Sequence, residues 1–534
     1  MTSVNSNQYD NYLLQILKKK KFQVSKELCD LLSEKFNVTN VYSRQIIKRV
    51  VAKGLVKSSS PMTFGKGQFV YFLLEQKLTI DVIKEISKIY RPPLYRLIES
   101  LDINDGIISY YEALKITASP LIRTSAKIDI LDDLIDVLKN GDFVYLAKDA
   151  NDVKYILLQT VKETEEKLIK THFSKLLIDS LFVKDIIDWL AKSNLITSLN
   201  NRFRNKTTPS LGAVHNNLLW DALGYTKATG LNPITANGAK TIEKQTLVVV
   251  DILLSRDYNQ IDLDGFLSRV QINLNSVTTG TRKIIPIVIY RSCPPFILST
   301  LKSLGFLCYD IGSIYGSNIF SILENVSKLQ LSQKFLENED FEKTIEETLR
   351  TIKDSGQEVQ LGALKGTLFE VMMYQVLKHQ YPNADINPNV YYSKNFTNKD
   401  TQKVEKERYE YDYVIRSSNP KEIIVIELKG YHSAHQIPLG TYDTKYTLKW
   451  FFNRTLPFIK DKYQVDIDNG YAFKAVYITS SMFEPEAVPH LIELNNGIFK
   501  PKRLDVFYDR EKLLELIEEN DFKSLKDIID KYYL

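Results

Sequence analysis

Cysteine is scarce in this chain, and its three cysteines lie far apart. Cys29, Cys293 and Cys308 form neither a CxxC pair nor a Cys/His spacing of the kind that binds zinc. We therefore expect free, buried thiols and neither disulfides nor a structural zinc site. His172 and His215 are isolated, and we interpret both as structural histidines rather than metal ligands.

Long apolar runs and nucleotide-binding motifs are absent as well. No stretch of 18 apolar residues and no signal-like N-terminal segment occurs, so we expect a cytoplasmic protein without a membrane partner. No GxGxxG motif follows an apolar strand, and the glycine-containing stretch 362–367 lacks the GK[ST] ending of a phosphate-binding loop. The absence of both phosphate-binding motifs argues against nucleotide hydrolysis.

The length and composition indicate a large globular protein. With 534 residues, of which 44% are hydrophobic and 25% charged, we expect three or four domains, because single cores rarely exceed roughly 250 residues. The pattern of helices and strands predicts an α/β multidomain fold. The predicted segments are 1–78, 79–160, 161–320, an acidic helical connector at 321–357, and 358–534.

Positive charge is concentrated at the N-terminus. The net charge is +5, but residues 1–74 contain twelve lysines and arginines against four acids, so the rest of the chain is slightly acidic. A basic module on a nearly neutral body is typical of a domain that binds an anion, and nucleic acid is the leading candidate.

Residues 8–74 have the pattern of three helices and a two-stranded hairpin. Ser25 is predicted as the N-cap of the second helix. The third runs from about residue 42 to 53 and ends at Gly54. Its polar face carries Arg44, Gln45, Lys48 and Arg49.

This pattern resembles a winged helix-turn-helix domain, whose third helix enters the major groove of double-stranded DNA. The resemblance implies that Arg44 and Gln45 contact base edges. It further implies phosphate contacts from the remaining basic residues, which are Lys48, Arg49, Lys53, Lys57 and Lys66. The alternative is that the module binds protein, since winged helices also do so.

The middle of the chain predicts further helical and α/β structure. Residues 79–160 read as a second helical unit with a possible wing, and helix–strand alternation between 161 and 320 predicts a parallel α/β sheet. Asp251 lies near the end of a buried strand. In metal-dependent nucleases such a strand end can carry an acid followed two positions later by a lysine, but here the residue two positions on is Leu253. A degenerate nuclease-like domain is the favoured interpretation, and a Rossmann-like ligand sensor is the alternative.

Three polar side chains meet at one end of a C-terminal hairpin. Asp412 lies on the first strand, and Glu427 and Lys429 lie two apart on the second, so that they share a face at the end of an apolar strand. Two carboxylates in this position suit Mg²⁺, and an adjacent lysine can orient a water molecule or stabilise a phosphorane. The pattern is typical of a metal-dependent nuclease.

A helix with Phe369 and Glu370 precedes this hairpin, and a helix and a strand follow it. The α-β-β-β-α-β order over residues 358–510 resembles the PD-(D/E)xK restriction-endonuclease-like core, and its Mrr-like branch in particular. The fold implied is a mixed sheet flanked by helices. Two features depart from the family pattern: Tyr411 replaces the proline before the aspartate, and a long polar segment precedes Asp412.

The resemblance implies a site and an activity. Asp412, Glu427 and the Leu428 carbonyl would bind Mg²⁺, for which Mn²⁺ can substitute, and Glu370 would hold a metal-bound water or a second ion. Lys429 would act on the water or on the transition-state charge. Lys445 and Lys449, predicted on the following helix, are candidates for phosphate contacts.

The function implied is a DNA endonuclease in bacterial restriction or anti-phage defence. Its partners would be double-stranded DNA and either a second copy of the chain or other proteins of a defence system. Two alternatives remain open at this point. One is a DNA-binding or assembly protein with an inactive nuclease fold, and the other is a nuclease that a ligand switches on through the central domain.

Overall fold

A computed structural model shows the chain as two compact units. It describes residues 6–65, 67–123, 128–149, 153–197, 201–204, 212–226, 246–276, 283–330, 340–397 and 404–534. The first unit comprises residues 1–173, 200–204 and 210–308, and the second comprises 174–199, 205–209 and 309–534. None of the described helices combines the length and apolar character that a membrane crossing requires.

The first unit begins with a small module of three helices and a three-stranded antiparallel sheet. Its elements are α1 (Ser6–Lys19), β1 (Phe22–Val24), α2 (Ser25–Phe36), α3 (Asn40–Ala52), β2 (Val56–Ser58) and β3 (Val70–Leu73), with strand order β1-β3-β2. Leu17, Leu32 and Val50 are buried in its core. The three predicted helices and the hairpin are therefore present, and Gly54 follows α3 with a φ of 71°.

Ser25 does not act as the predicted N-cap. It is the first residue of α2, and Val24 precedes the helix without a side-chain cap. The Ser25 hydroxyl instead accepts a hydrogen bond from the Phe69 N–H at 2.9 Å, because β1 pairs with β3 and brings residue 69 alongside. The three-residue strand β1 was not predicted, because it is too short to show a strand pattern.

A second module of similar make-up follows. It contains α4 (Ile80–Tyr90), α5 (Pro92–Ile103), β4 (Ile107–Ser109), α6 (Tyr110–Thr117), α7 (Leu131–Asn140), β5 (Val144–Lys148) and β6 (Lys154–Leu158), with strand order β4-β6-β5. Pro92 and Pro93 stand in the first turn of α5, where the missing N–H of proline costs no helical hydrogen bond. Ser109 and Glu112 form a capping box that starts α6, and Glu112 also lies 2.5 Å from the buried ring of His172. His172 is therefore structural, as expected.

The central sheet is mixed, which corrects the prediction of a parallel one. Two helices, α8 (Glu165–Leu181) and α9 (Val183–Lys192), precede it. The elements of this region are β7 (Arg202–Phe203), β8 (Ala213–His215), β9 (Leu218–Trp220), β10 (Ala222–Thr226), β11 (Thr246–Leu253), α10 (Gln260–Asn275), β12 (Ile284–Tyr290), α11 (Pro295–Ser303) and β13 (Leu307–Asp310). β8 and β9 form a separate two-stranded antiparallel sheet.

The order of the five main strands is β13-β12-β11-β10-β7. β11 and β12 are parallel, as their helical connection predicts, but β10 pairs antiparallel with both β11 and β7. The strands before residue 246 are short, and their sequences lack the long apolar run that identifies β11. For that reason sequence patterning missed them.

Helices precede the last sheet. They are α12 (Ile311–Tyr315), α13 (Ile319–Gln330), α14 (Asp340–Asp354) and α15 (Gly362–Gln380). Within the second unit, Asp185 of α9 accepts a hydrogen bond from the Ala363 N–H at 3.2 Å and so caps the N-terminus of α15. In the predicted acidic connector, Glu346 of α14 forms an ion pair with Lys531, with 3.0 Å between Glu346 Oε1 and Lys531 Nζ. Glu337 and Glu339 lie outside the described residues.

The C-terminal sheet has strand order β14-β15-β16-β18-β20. The strands are β14 (Asp385–Thr397), β15 (Val404–Ser418), β16 (Lys421–Lys429), β17 (Gln436–Ile437), β18 (Ala472–Thr479), β19 (Met482–Phe483) and β20 (Phe507–Tyr508). The helices are α16 (Leu448–Trp450), α17 (Leu456–Lys460), α18 (Gln464–Asp468), α19 (Ala487–Asn495), α20 (Arg510–Glu519) and α21 (Lys523–Tyr532). A π-helical turn (Phe451–Thr455) separates α16 from α17, and a 3₁₀ turn (Asp461–Tyr463) follows α17.

The first three strands of this sheet form an antiparallel meander, and the last three run parallel. The predicted helix, hairpin, helix and strand are all present. Phe451, Leu456 and Tyr477 lie in the core beside the sheet. The three cysteines of the chain are free thiols, of which Cys29 is buried and the other two are half-buried.

Candidate active site

The hairpin of β15 and β16 brings the predicted acids together. Its register pairs Tyr413 with Ile426, and one step further along the same ladder Asp412 stands opposite Glu427. Residues directly opposite each other in an antiparallel pair point to the same face, and so do residues two apart on one strand. Asp412, Glu427 and Lys429 therefore share one face at the end of β16, as the sequence predicted.

The oxygen atoms of this site converge on one cation. The Lys429 ammonium donates to Glu427 Oε1 at 2.6 Å and to the Leu428 carbonyl at 3.1 Å, and it lies 3.8 Å from Asp412 Oδ2. The Leu428 N–H donates to Asp412 Oδ2 at 2.6 Å and fixes that carboxylate. The side chains of Glu427, Lys429 and Asp412 remain 19%, 15% and 10% exposed, so solvent reaches the group.

Burial and mutual charge set the protonation of the group. Burial raises the pKa of Glu427, and the neighbouring Asp412 adds to this effect although Lys429 opposes it. For Lys429, burial lowers the pKa, but Glu427 and Asp412 outweigh it and hold the pKa well above the ordinary value. In this arrangement Lys429 is a charged hydrogen-bond donor.

Tyrosines surround the site, and sequence reasoning missed them. Tyr477 of β18 pairs with Glu427, and its buried hydroxyl has no hydrogen-bond partner among the described residues. Burial raises the pKa of Tyr477, and Lys429 and Glu427 are the nearest charges acting on it. Tyr431 interacts electrostatically with both of these residues and with Tyr446, an exposed residue with a φ of 64°. Only the pairing of β16 with β18 brings Tyr477 here, and no local pattern predicts that pairing.

Glu370 lies near the site. It belongs to α15, where its backbone carbonyl accepts a hydrogen bond from the Tyr413 hydroxyl at 3.1 Å. Burial raises the pKa of Tyr413 strongly, and the nearby acids Glu370 and Asp412 both add to the shift. In the described part of the chain, no three histidine, cysteine, aspartate or glutamate side chains are grouped to hold a metal ion.

The lysines beyond the site take different positions from those predicted. Lys445 lies exposed in the turn before α16, not on the helix, because Thr447 caps the helix at Leu448. Lys449 belongs to α16 and is half-buried.

The rings of Tyr431 and His435 pack edge to face, with 4.5 Å between their centroids.

The polar face predicted for α3 is exposed. Arg44, Gln45, Lys48 and Arg49 are all exposed there. The other three predicted contacts differ. Lys53 pairs with Asp10 at 2.5 Å, Lys57 donates to the Leu74 carbonyl at 2.7 Å, and Lys66 lies outside the described residues.

Asp251 of the central sheet is buried and fully engaged. It contacts Arg269 at 2.8 Å and Lys115 at 3.0 Å, and the Tyr258 hydroxyl donates to it at 3.2 Å.

No family model, curated protein or solved structure matches this chain. What the protein does must therefore be inferred from its own residues, and the Asp412–Glu427–Lys429 group has the most distinctive chemistry among them.

Proposed function

We propose that this protein is a Mg²⁺-dependent DNA endonuclease whose active site is the Asp412–Glu427–Lys429 group. The observation that carries the proposal is the convergence of two carboxylates and the Leu428 carbonyl on one cation at a solvent-accessible strand end. Perturbed pKa values at the same place add support, because they are common in active sites.

The donor set suits a hard divalent ion. Asp412, Glu427 and the Leu428 carbonyl would hold Mg²⁺ through oxygen, and the small number of protein ligands agrees with the several waters that Mg²⁺ usually retains. The ion would neutralise charge on the phosphoryl oxygens and activate water. Mn²⁺ is expected to substitute, because it accepts the same ligands.

The chain's own residues supply the remaining parts of the reaction. The reaction is hydrolysis: a water oxygen forms a bond to phosphorus, one P–O ester bond breaks, and the leaving oxygen takes up a proton while the water loses one. Lys429 keeps its proton on Nζ and so stabilises negative charge on the phosphoryl oxygens. The Leu428 N–H holds the Asp412 carboxylate in place.

The N-terminal module supports a nucleic-acid substrate. Its order of helices and strands resembles a winged helix, and the exposed polar face of α3 carries three basic residues. We propose that this face binds duplex DNA and that Lys445 and Lys449 contact phosphates closer to the active site. In this scheme Gln45 and Arg44 contact base edges.

The test is cleavage of supercoiled plasmid with Mg²⁺, Mn²⁺ or EDTA, with an RNA duplex in parallel. We expect metal-dependent cleavage of DNA that falls by at least about 100-fold in Asp412→Asn and Lys429→Met. Asp443→Asn is the matched control, because Asp443 is exposed on the same domain and pairs with Arg454. Intact DNA under all conditions, with DNA binding retained, would favour an inactive nuclease fold.

A further inference from the structure

The central sheet repeats the strand arrangement of the C-terminal sheet. In the central sheet, β7 pairs antiparallel with β10, β10 antiparallel with β11, and β11 parallel with β12, beyond which lies β13. The C-terminal sheet has the same succession in β14, β15, β16, β18 and β20. In both sheets helices connect the third strand to the fourth and the fourth to the fifth.

The repeat extends to individual atoms. The central ladder pairs Ala222 with Val250, and one step further it places Asp221 opposite Asp251. The Ile252 N–H donates to Asp221 Oδ2 at 2.8 Å, just as the Leu428 N–H donates to Asp412 Oδ2 at 2.6 Å. Asp221 and Asp251 therefore occupy the positions of Asp412 and Glu427, and Leu253 occupies that of Lys429.

A lysine from another element replaces the missing one. Lys115 of α6 extends its ammonium between the two aspartates, where it contacts Asp221 Oδ2 and lies 3.0 Å from Asp251 Oδ1. The position of its charge matches that of Lys429 between Asp412 and Glu427. The central sheet thus keeps two acids and a lysine although its strand has lost the (D/E)xK pattern.

Additional hydrogen-bond donors occupy the oxygen atoms of Asp221 and Asp251. Arg204 and the Tyr111 hydroxyl bind Asp221 at 3.2 and 2.6 Å, and Arg269 and Tyr258 bind Asp251. Asp221 is completely buried and Asp251 is 3% exposed. A divalent ion needs free oxygen lone pairs and access to water, and here three basic side chains already use those oxygens.

We propose that the chain carries two copies of one acid–lysine site, that only the C-terminal copy cuts, and that a single chain therefore breaks one strand of a duplex in each cleavage event. This inference rests on the proposed nuclease function and specifies its product. The central copy serves instead as a buried ion cluster between α6 and the sheet. Double-strand breaks then require two successive nicks or two chains.

The experiment follows nicked and linear DNA separately over a range of protein concentrations with Mg²⁺. Wild type is expected to accumulate nicked circles at a rate proportional to protein concentration, with linear DNA appearing later. Asp412→Asn should lose nicking and linearisation together, by at least about 100-fold. Adding excess Asp412→Asn chain to wild type should leave nicking intact and suppress any linear product that depends on two chains.

Asp251→Asn and Lys115→Met are the matched variants of the central copy. Each should keep nicking within about twofold per folded molecule, while the melting temperature falls. Calorimetric titration with Mn²⁺ supplies a readout besides cleavage: the binding heat should disappear in Asp412→Asn and persist in Asp251→Asn. If the central variants do not fold, the behaviour of Asp412→Asn still decides the question.

The outcomes separate the two levels of inference. Residual nicking by Asp412→Asn above a tenth of the wild-type rate, or retained Mn²⁺ heat in that variant, would overturn the single-site proposal and the assignment of the active site to Asp412, while the nuclease activity itself would stand. Linear DNA formed as fast as nicked DNA, at first order in protein, would also overturn it. Absence of cleavage by wild type under every condition would instead remove the proposed function, and this inference with it.

Discussion

The central and C-terminal sheets place two acids at the same strand positions, yet the surroundings of the acids differ. In the C-terminal sheet, Asp412 and Glu427 share one lysine and are partly open to solvent. In the central sheet, Asp221 and Asp251 share Lys115 and also bind Arg204 and Arg269 in a closed interior. The number of cations and the access of water thus distinguish the group for which we propose a metal ion from the group to which we assign only a structural role.

The pKa values of the acids shift in opposite directions in the two regions. Burial raises the pKa of Asp221, but Lys115 and Arg204 outweigh it, so the pKa falls well below the usual range and the residue stays charged. Glu427 has one cation beside it and a raised pKa. Asp185, another buried acid of the second unit, has its pKa raised to about 7 by burial, which outweighs the hydrogen bonds from the first turn of α15.

The largest expected difference lies between two equivalent lysine substitutions. Lys115→Met should reduce the free energy of unfolding by about 3–5 kcal/mol, because it leaves buried carboxylates without their shared partner. Lys429→Met should cost less than about 1 kcal/mol, because Glu427 is partly solvated and can take up a proton. Urea denaturation of the two variants beside wild type measures both values. Equal losses would contradict the division into a structural and a chemical site.

The second prediction uses pH to separate the units. Asp185 has a higher pKa in the folded state than its unfolded value of 3.8, so its contribution to stability is present below pH 4 and is lost as the pH rises through about 7. The loss is at most about 4 kcal/mol. Asp221 has a lowered pKa, so its contribution is present above pH 4 and is lost only in stronger acid.

Denaturation between pH 4 and 8 checks this prediction in Asp185→Asn. The variant should lose the part of the pH dependence that Asp185 supplies to the second unit. Asp443→Asn is the control, since Asp443 is an exposed acid of the same unit and pairs with Arg454. An unchanged pH dependence in Asp185→Asn would mean that the carboxyl of Asp185 is already ionised in the folded protein.

A relocated lysine provides a third test. If Leu253 truly occupies the position of Lys429, then Leu253→Lys should recover part of the stability lost in Lys115→Met. We expect a favourable coupling of about 1–3 kcal/mol in the double-mutant cycle. The cycle with Leu253→Met in place of Leu253→Lys should show no coupling, because methionine supplies volume without charge. An unfavourable coupling would show that the two strand positions are not equivalent.

The smallest effect is expected on the N-terminal face. Duplex binding should weaken by roughly tenfold or less in each of the variants Arg44→Gln, Lys48→Gln and Arg49→Gln. Each lost phosphate contact should also reduce the slope of log binding constant against log salt concentration by about one. Lys167→Gln is the control, because Lys167 is an exposed lysine outside this face. Binding by fluorescence anisotropy at several salt concentrations measures both quantities. Unchanged binding in all three variants would leave protein recognition as the role of α3.

The predictions from sequence succeeded where the signal was local. The apolar run of β11 and the alternation at Glu427 and Lys429 gave the right strands, and Gly54 marked the end of α3. They failed where partners were distant or segments short. Ser25 was misread because its partner, Phe69, is 44 residues away, and β10 was missed because five residues carry little pattern.

The sequence by itself determined the hairpin that joins Asp412 to Glu427 and Lys429, because strand alternation and a short turn fix which side chains share a face. It also determined the basic polar face of α3. Only the tertiary structure decided that Tyr477 borders the site and that Lys115, far from Asp221 and Asp251 in sequence, neutralises them. Parallel strand pairing and helix packing depend on the sum of many distant contacts, and no short segment encodes that sum.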